Sequence, residues 1–198
     1  MTGITLFNCK GLGEVSRMIF KYAGFDSIDN RFSGENWPKI QPNMPFEQTP
    51  SLTMYGKGID ESPDITFYAA KNPELVGSND WENLEIDAIV DTINDFKTKI
   101  QLYAREQDAA IKETRKGPLF QETIPFYLGK LEQIAEQNDG HLAAAKLTWA
   151  DFYLVGVIDH LNDLVEMNLL ENSPNLQKVV RNVITVKGWI KIRSQTEA

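Results

Sequence analysis

The run Ser51-Leu52-Thr53-Met54-Tyr55-Gly56-Lys57-Gly58-Ile59-Asp60-Glu61-Ser62-Pro63 decides the fold of the first part of this chain. Residues 51–55 read as a strand, Gly56-Lys57-Gly58 as a hairpin turn, and the residues around Ile59 as a short returning strand. Ser62-Pro63 then opens a helix, with serine at the N-cap and proline at the first helical position, where its missing N–H has no partner to lose. Working upstream, Ile4-Thr5-Leu6-Phe7 alternates as a strand, and Asn30-Arg31-Phe32 reads as another. Between them, residues 14–23 place Val15, Met18, Ile19 and Tyr22 on one helical face. Residues 33–48 hold Gly34, Pro38, Pro42 and Pro45 and read as a long loop. The order β-α-β, then β-β-α, predicts a small α/β domain.

Working downstream, residues 72–80 carry Pro73, Gly77 and Ser78 and read as a linker. Beyond it the signal is helical. Ile86, Ile89, Val90, Ile93, Phe96 and Ile100 recur every three or four residues, and residues 119–135 and 152–165 repeat the pattern. Thr148-Trp149-Ala150-Asp151 reads as a capping-box variant, with Asp151 reaching back three residues to the helix start. The expected division is an α/β domain over residues 1–72, a linker over 73–80 and an all-helical domain over 81–198.

Composition narrows the partners. A formal net charge of −8 repels phosphate backbones, so nucleic acid is not expected. The apolar runs are far shorter than the roughly 18 residues of a membrane span, and no apolar leader opens the chain. One cysteine, Cys9, cannot form an internal disulfide, which fits a reducing, cytoplasmic setting. Neither His141 nor His160 has metal-ligand spacing, and no metal is expected.

Three stretches resemble the cytosolic glutathione transferases, most closely the sigma class, which includes insect sigma enzymes and the glutathione-dependent prostaglandin D synthases. They are Trp37-Pro38 through Pro45-Phe46-Glu47-Gln48-Thr49-Pro50, then Glu61-Ser62-Pro63-Asp64-Ile65, then Leu147-Thr148-Trp149-Ala150-Asp151-Phe152. The similarity runs along essentially the whole chain. It implies a thioredoxin-like glutathione-binding domain followed by an all-α domain. It also implies glutathione as co-substrate, a hydrophobic small molecule as second substrate, and a homodimer.

The resemblance also implies site residues. Pro50 matches the family's cis-proline, which would let Thr49 offer its backbone N–H and C=O to the cysteinyl part of glutathione. Ser62, at a helix start, suits the γ-glutamyl carboxylate, and its plain role is an N-cap. Glu61 replaces a glutamine and would face the ligand's ammonium, whereas Asp64 adds a charge that opposes an anionic ligand. Trp37 and Gln48 match glutathione contacts; Gln41 stands where a lysine often meets the glycyl carboxylate, with Lys39 nearby. Asp95 matches an aspartate that the partner subunit contributes. Asp91, Asn94 and Asp95 share one helical face, which also reads as a solvated or interface-lining acidic surface. The acceptor pocket maps to Cys9, Gly11, Leu12, Leu102, Tyr153 and Val157, mostly apolar and equally suited to core packing.

The departure lies in the first strand. In sigma enzymes a tyrosine there donates a hydrogen bond to glutathione sulfur, and Leu6 holds that position in this chain. A free thiol with a pKa of about 8.5 is only about 3% ionised at pH 7, and the thiolate is the nucleophile. Leucine donates nothing to it. Asn8, Cys9 and Lys10 are the neighbours able to substitute, through an amide, a thiol or a positive charge. Three functions follow in order: a transferase slowed by the absent hydroxyl, a non-enzymatic ligand binder or crystallin-like structural protein, and a thiol transferase acting through Cys9.

Overall fold

The computed structural model describes residues 2–7, 12–24, 27–44, 47, 51–54, 57–60 and 74–186. The chain divides into two compact units, one of Met1–Leu75 together with Thr185–Ala198 and the other of Val76–Ile184.

In the first unit, β1 (Thr2–Phe7), α1 (Leu12–Tyr22) and β2 (Ser27–Phe32) form a β-α-β element, and β3 (Ser51–Met54) and β4 (Lys57–Asp60) form a hairpin. The sheet order is β2-β1-β3-β4. β1 and β2 are parallel, as a helical crossover allows, and the other two pairs are antiparallel. α1 buries Val15, Met18 and Ile19 of the face its spacing predicts, while Tyr22 is half-buried, Phe20 is buried in addition, and Lys21 is exposed.

Two local expectations are corrected. Residues 33–48 are not simply a loop: a 3₁₀ turn (Gly34–Asn36), a one-turn helix α2 (Trp37–Ile40) and a second 3₁₀ turn (Gln41–Asn43) follow one another. Two of the prolines that read as breakers, Pro38 and Pro42, sit in the first turn of these segments, where a residue without an N–H and with fixed φ starts a helix well, and Pro45 lies outside the described residues. Lys57 pairs with Met54 and Gly58 with Thr53, so both belong to β4 and not to the turn. The helix expected after Ser62-Pro63 lies outside the described residues.

The second unit is helical: α3 (Asp80–Ala104), α4 (Ala109–Pro118), α5 (Ile124–Gln137), α6 (Trp149–Val165) and α7 (Pro174–Ile184). Asn79 caps α3 by accepting from the Glu82 N–H at 3.0 Å, and Glu82 returns to the Ser78 N–H at 2.7 Å. Gly77 has to be glycine, because a Cβ there would stand 2.6 Å from Cβ of Glu82. The helix expected to begin at Leu119 instead opens with a wide turn, Leu119–Thr123, in which the Ile124 N–H donates to the Leu119 carbonyl. Pro125 lacks the N–H that a regular turn would use next, and the five-residue spacing accommodates it. No helix among the described residues is long and apolar enough to cross a membrane.

α6 is the core of this unit, buried continuously from Trp149 to Ile158. Its start is held by Asp151, which has no solvent exposure. The Asp151 carboxylate accepts from the Thr148 N–H at 2.7 Å, the Thr148 hydroxyl at 3.2 Å and the Leu142 N–H at 2.8 Å. Asp151→Ala leaves two buried N–H groups without that acceptor and is expected to cost about 3–5 kcal/mol. Thr148→Ala is expected to cost about 1 kcal/mol. Urea denaturation followed by circular dichroism checks both, and an unchanged Asp151→Ala midpoint would refute the anchoring role.

Candidate functional site

The sheet gathers one end of every strand. Ser51, the first residue of β3, pairs with Asp60, the last of β4, and also with Thr5 near the end of β1. Leu6 pairs with Arg31, and Phe7 with Phe32 at the end of β2. The outgoing ends of β1, β2 and β4 and the incoming end of β3 therefore lie together. Every first-unit residue singled out in the sequence is on, or joined by a few residues to, one of these ends. Asn8, Cys9, Lys10 and Gly11 follow β1; Gln48, Thr49 and Pro50 precede β3; Glu61, Ser62 and Asp64 follow β4; all lie outside the described residues. Leu12 is the first residue of α1.

Trp37 and Gln41 follow β2. The Trp37 ring stacks on Phe32, centroids 5.6 Å apart and 7° from parallel, which fixes the indole to the end of the strand. The Gln41 amide reaches the Glu47 carbonyl at only 3.5 Å. Glu47 itself takes a left-handed backbone, φ 54°, immediately before Gln48. A non-glycine residue adopts that conformation at some cost, and such residues concentrate near functional sites. Ser51 is buried, its hydroxyl 3.2 Å from the sulfur of Met44.

In the second unit, Asp91 and Asp95 are exposed on α3 and Asn94 is half-buried, while Ile93 and Phe96 fill the core behind them. The Tyr153 hydroxyl donates to Asn94 Oδ1 at 3.4 Å. Tyr153 and Val157 are buried on α6, whereas Leu102 on α3 is 56% exposed. Burial and then the Asp91 charge push the Tyr153 phenol up to about 12. Burial and Asp91 also raise the Asp87 carboxyl above its ordinary range.

Sequence reasoning missed Lys97, which is 6% exposed in the otherwise apolar buried face of α3. Its position between Phe96 and Ile100 in the stripe was the available signal. With Arg105 it acts on His160, whose pKa is lowered first by burial and further by these two cations, against an opposing pull from Asp163.

A family model described as the C-terminal domain of glutathione S-transferase matches residues 94–191. A glutathione S-transferase of Anopheles gambiae is 46% identical over 194 residues, covering 96% of each chain. Glutathione S-transferase S1 of Drosophila melanogaster is 44% identical over 96% of this chain and 78% of its own. The chain belongs to the glutathione S-transferase family. Prostaglandin synthase D of Nilaparvata lugens, a solved structure, superposes with a TM-score of 0.92 at 32% identity over 98% of both chains. The glutathione S-transferase fold thus comprises, in this chain, the thioredoxin-like sheet unit and the helical unit described above.

The buried phenol gives this family member a titration to follow. Tyr153 holds its proton more tightly folded than unfolded, so its contribution to stability is complete below pH 10 and is lost as pH rises through about 12. Ultraviolet titration is expected to show an ionisation near pH 12 that Tyr153→Phe removes, distinct from that of Tyr22, which burial and then its bond to Glu74 also raise. Asp91→Asn is expected to move that step down toward 10 and to stabilise α3 by a few tenths of a kcal/mol, by relieving the Asp87–Asp91 repulsion. A late step untouched by Tyr153→Phe would assign it to another residue.

Proposed function

We propose that this chain is a sigma-class-like glutathione transferase whose chemical step is slowed because Leu6 stands where the class has its tyrosine. The observation that carries the reading is the register that brings the ends of β1, β2 and β4 to the start of β3. Glutathione bound there would run along Thr49 as an added strand, with Pro50 turning the chain and Ser62 and Glu61 meeting the γ-glutamyl end. Trp37, Gln41 and Gln48 would line the remainder, and in a homodimer the partner copy would bring Asp95. Of the apolar set, a hydrophobic electrophile would meet Cys9, Gly11, Leu12 and Leu102, whereas Tyr153 and Val157 are buried and offer it almost no surface. Conjugation or glutathione-dependent isomerisation then follows from holding the thiol and the acceptor together, which supplies rate even without a hydroxyl on the sulfur.

The tyrosine's contribution is quantifiable. Lowering a thiol pKa from 8.5 to 6.5 raises the ionised fraction at pH 7 by about 25-fold. Leu6→Tyr is therefore expected to raise turnover at pH 7 by up to about 25-fold, with little change in glutathione affinity. The same variant should lower the pH at which the bound thiol ionises, followed by thiolate absorbance. An unchanged rate and an unchanged thiol titration would reject Leu6 as the tyrosine position.

A second reading is favoured by three departures together: Leu6, Gln41 in place of a lysine, and Asp64 beside the γ-glutamyl end. On that reading the fold survives as a non-enzymatic binder of hydrophobic ligands or as a structural protein. Calorimetric titration with reduced glutathione separates the two. Binding between micromolar and low millimolar supports the transferase, and absence of binding supports the second reading. Cys9→Ser leaving thiol-transfer activity intact would dismiss a role for Cys9.

A further inference from the structure

The helical unit carries a groove of about 300 Å³ between α6 and α7, and none of its lining residues belongs to the proposed glutathione or acceptor sites. Ile158, Asp159 and Asn162 of α6 line it from one helix, Gln177, Val180 and Arg181 of α7 from the other, and Asn168 and Leu170 from the connection. We propose that this groove binds a free α-amino acid with a branched aliphatic side chain, held by both its ammonium and its carboxylate.

The groove's own side chains hold the connection in place. α6 ends on Glu166 in a left-handed backbone, φ 55°. The Asn162 carbonyl accepts from the Met167 N–H at 3.2 Å, and Asn162 Oδ1 accepts from the Leu169 N–H at 2.9 Å. Asn168 Oδ1 accepts from the Leu170 N–H at 3.2 Å. Gln177 Nε2 donates to the Leu170 carbonyl at 2.7 Å and to the Glu171 carbonyl at 3.0 Å. Each of the three amides thus uses one end on backbone and keeps the other: an NH₂ group on Asn162 and on Asn168, an oxygen on Gln177. These three groups, and the exposed Asp159 carboxylate, have no partner among the described residues.

The chemistry of the lining selects the ligand. Asp159 and the Gln177 oxygen accept, whereas the Asn162 and Asn168 NH₂ groups and Arg181 donate. Arg181 has another interaction as well, and its five N–H donors can serve two partners. An ammonium and a carboxylate on adjacent atoms use both sets, and each forms charge-assisted hydrogen bonds. A simple anion would leave Asp159 unanswered, and a simple amine would leave the donors so. Ile158 and Leu170 are buried and Val180 is half-buried, so the apolar part of the groove is branched and aliphatic. No aromatic ring is among the described residues lining it. Its volume is at the small end for ligand pockets and suits one amino acid.

The test is a saturation-transfer NMR titration of the full chain with L-leucine at neutral pH. Saturable binding at millimolar concentration or below is expected. N-acetyl-L-leucine lacks the ammonium and L-leucinamide the carboxylate, and each is expected to bind about tenfold more weakly or worse. Glycine, without the apolar body, should bind more weakly too. Asp159→Asn is expected to weaken leucine binding about tenfold with the thermal midpoint unchanged, and Val180→Trp, which fills the groove, to abolish it. Neither residue belongs to the proposed glutathione site, so glutathione affinity should be native in both variants. Absence of saturable leucine binding, or native leucine affinity in both variants, overturns the proposal. So does leucinamide binding as tightly as leucine. If Val180→Trp lowers the thermal midpoint, Asp159→Asn and the leucine analogues decide. A failure of the transferase reading would appear instead as absent glutathione binding, which leaves the leucine titration unaffected.

Discussion

A fully buried carboxylate is costly unless its oxygens are hydrogen-bonded, and Asp151 meets that requirement by gathering three donors from two stretches of chain. The bond to Thr148 sets where α6 begins. The bond to Leu142 ties down the segment that leads into it. Because α6 is buried over ten consecutive residues from Trp149 to Ile158, its starting point fixes which side chains meet α3. The Tyr153–Asn94 contact and the electrostatic effect of Lys97 on His160 follow from that placement.

The same residues show what a linear sequence reveals and what it conceals. The Thr148–Asp151 spacing is a local signal, and local signals survive folding, so the helix start was legible. So were the α1 and α3 stripes, because burial on one face leaves a periodic trace. The turns at residues 34–43 were not legible, since Pro38 and Pro42 interrupt a helix and start one with equal force, and only the surrounding chain decides which. α4 carries no buried residue, so it leaves no apolar period to detect. α7 does leave one, in Leu176, Val179 and Val183, but it is short. The sheet-end residues were recognisable by resemblance one at a time. That the strand ends flanking them lie together needed the strand order, which no stretch of the chain carries by itself.

Charge makes a related point. A net of −8 describes the molecule at distances where individual groups blur together. Within a helix hairpin the relevant distance is a few ångströms, and there the sign reverses between the acidic face of α3 and the cation-rich segment at its other end. Asp91 illustrates how far one exposed carboxylate reaches: it acts on both Asp87 and the buried Tyr153.

The strand register also limits how this unit can change in length. Ser51 and Asp60 are opposite one another only because two residues separate Met54 from Lys57. One inserted residue there, unless absorbed as a bulge, would slide β4 along β3 and turn each of its side chains to the opposite face of the sheet. The chain leaving Asp60 would then depart from a different point relative to Ser51. The hairpin is thus remote from the strand ends in space yet sets their alignment, so insertions are better tolerated in exposed helix connections than at this turn.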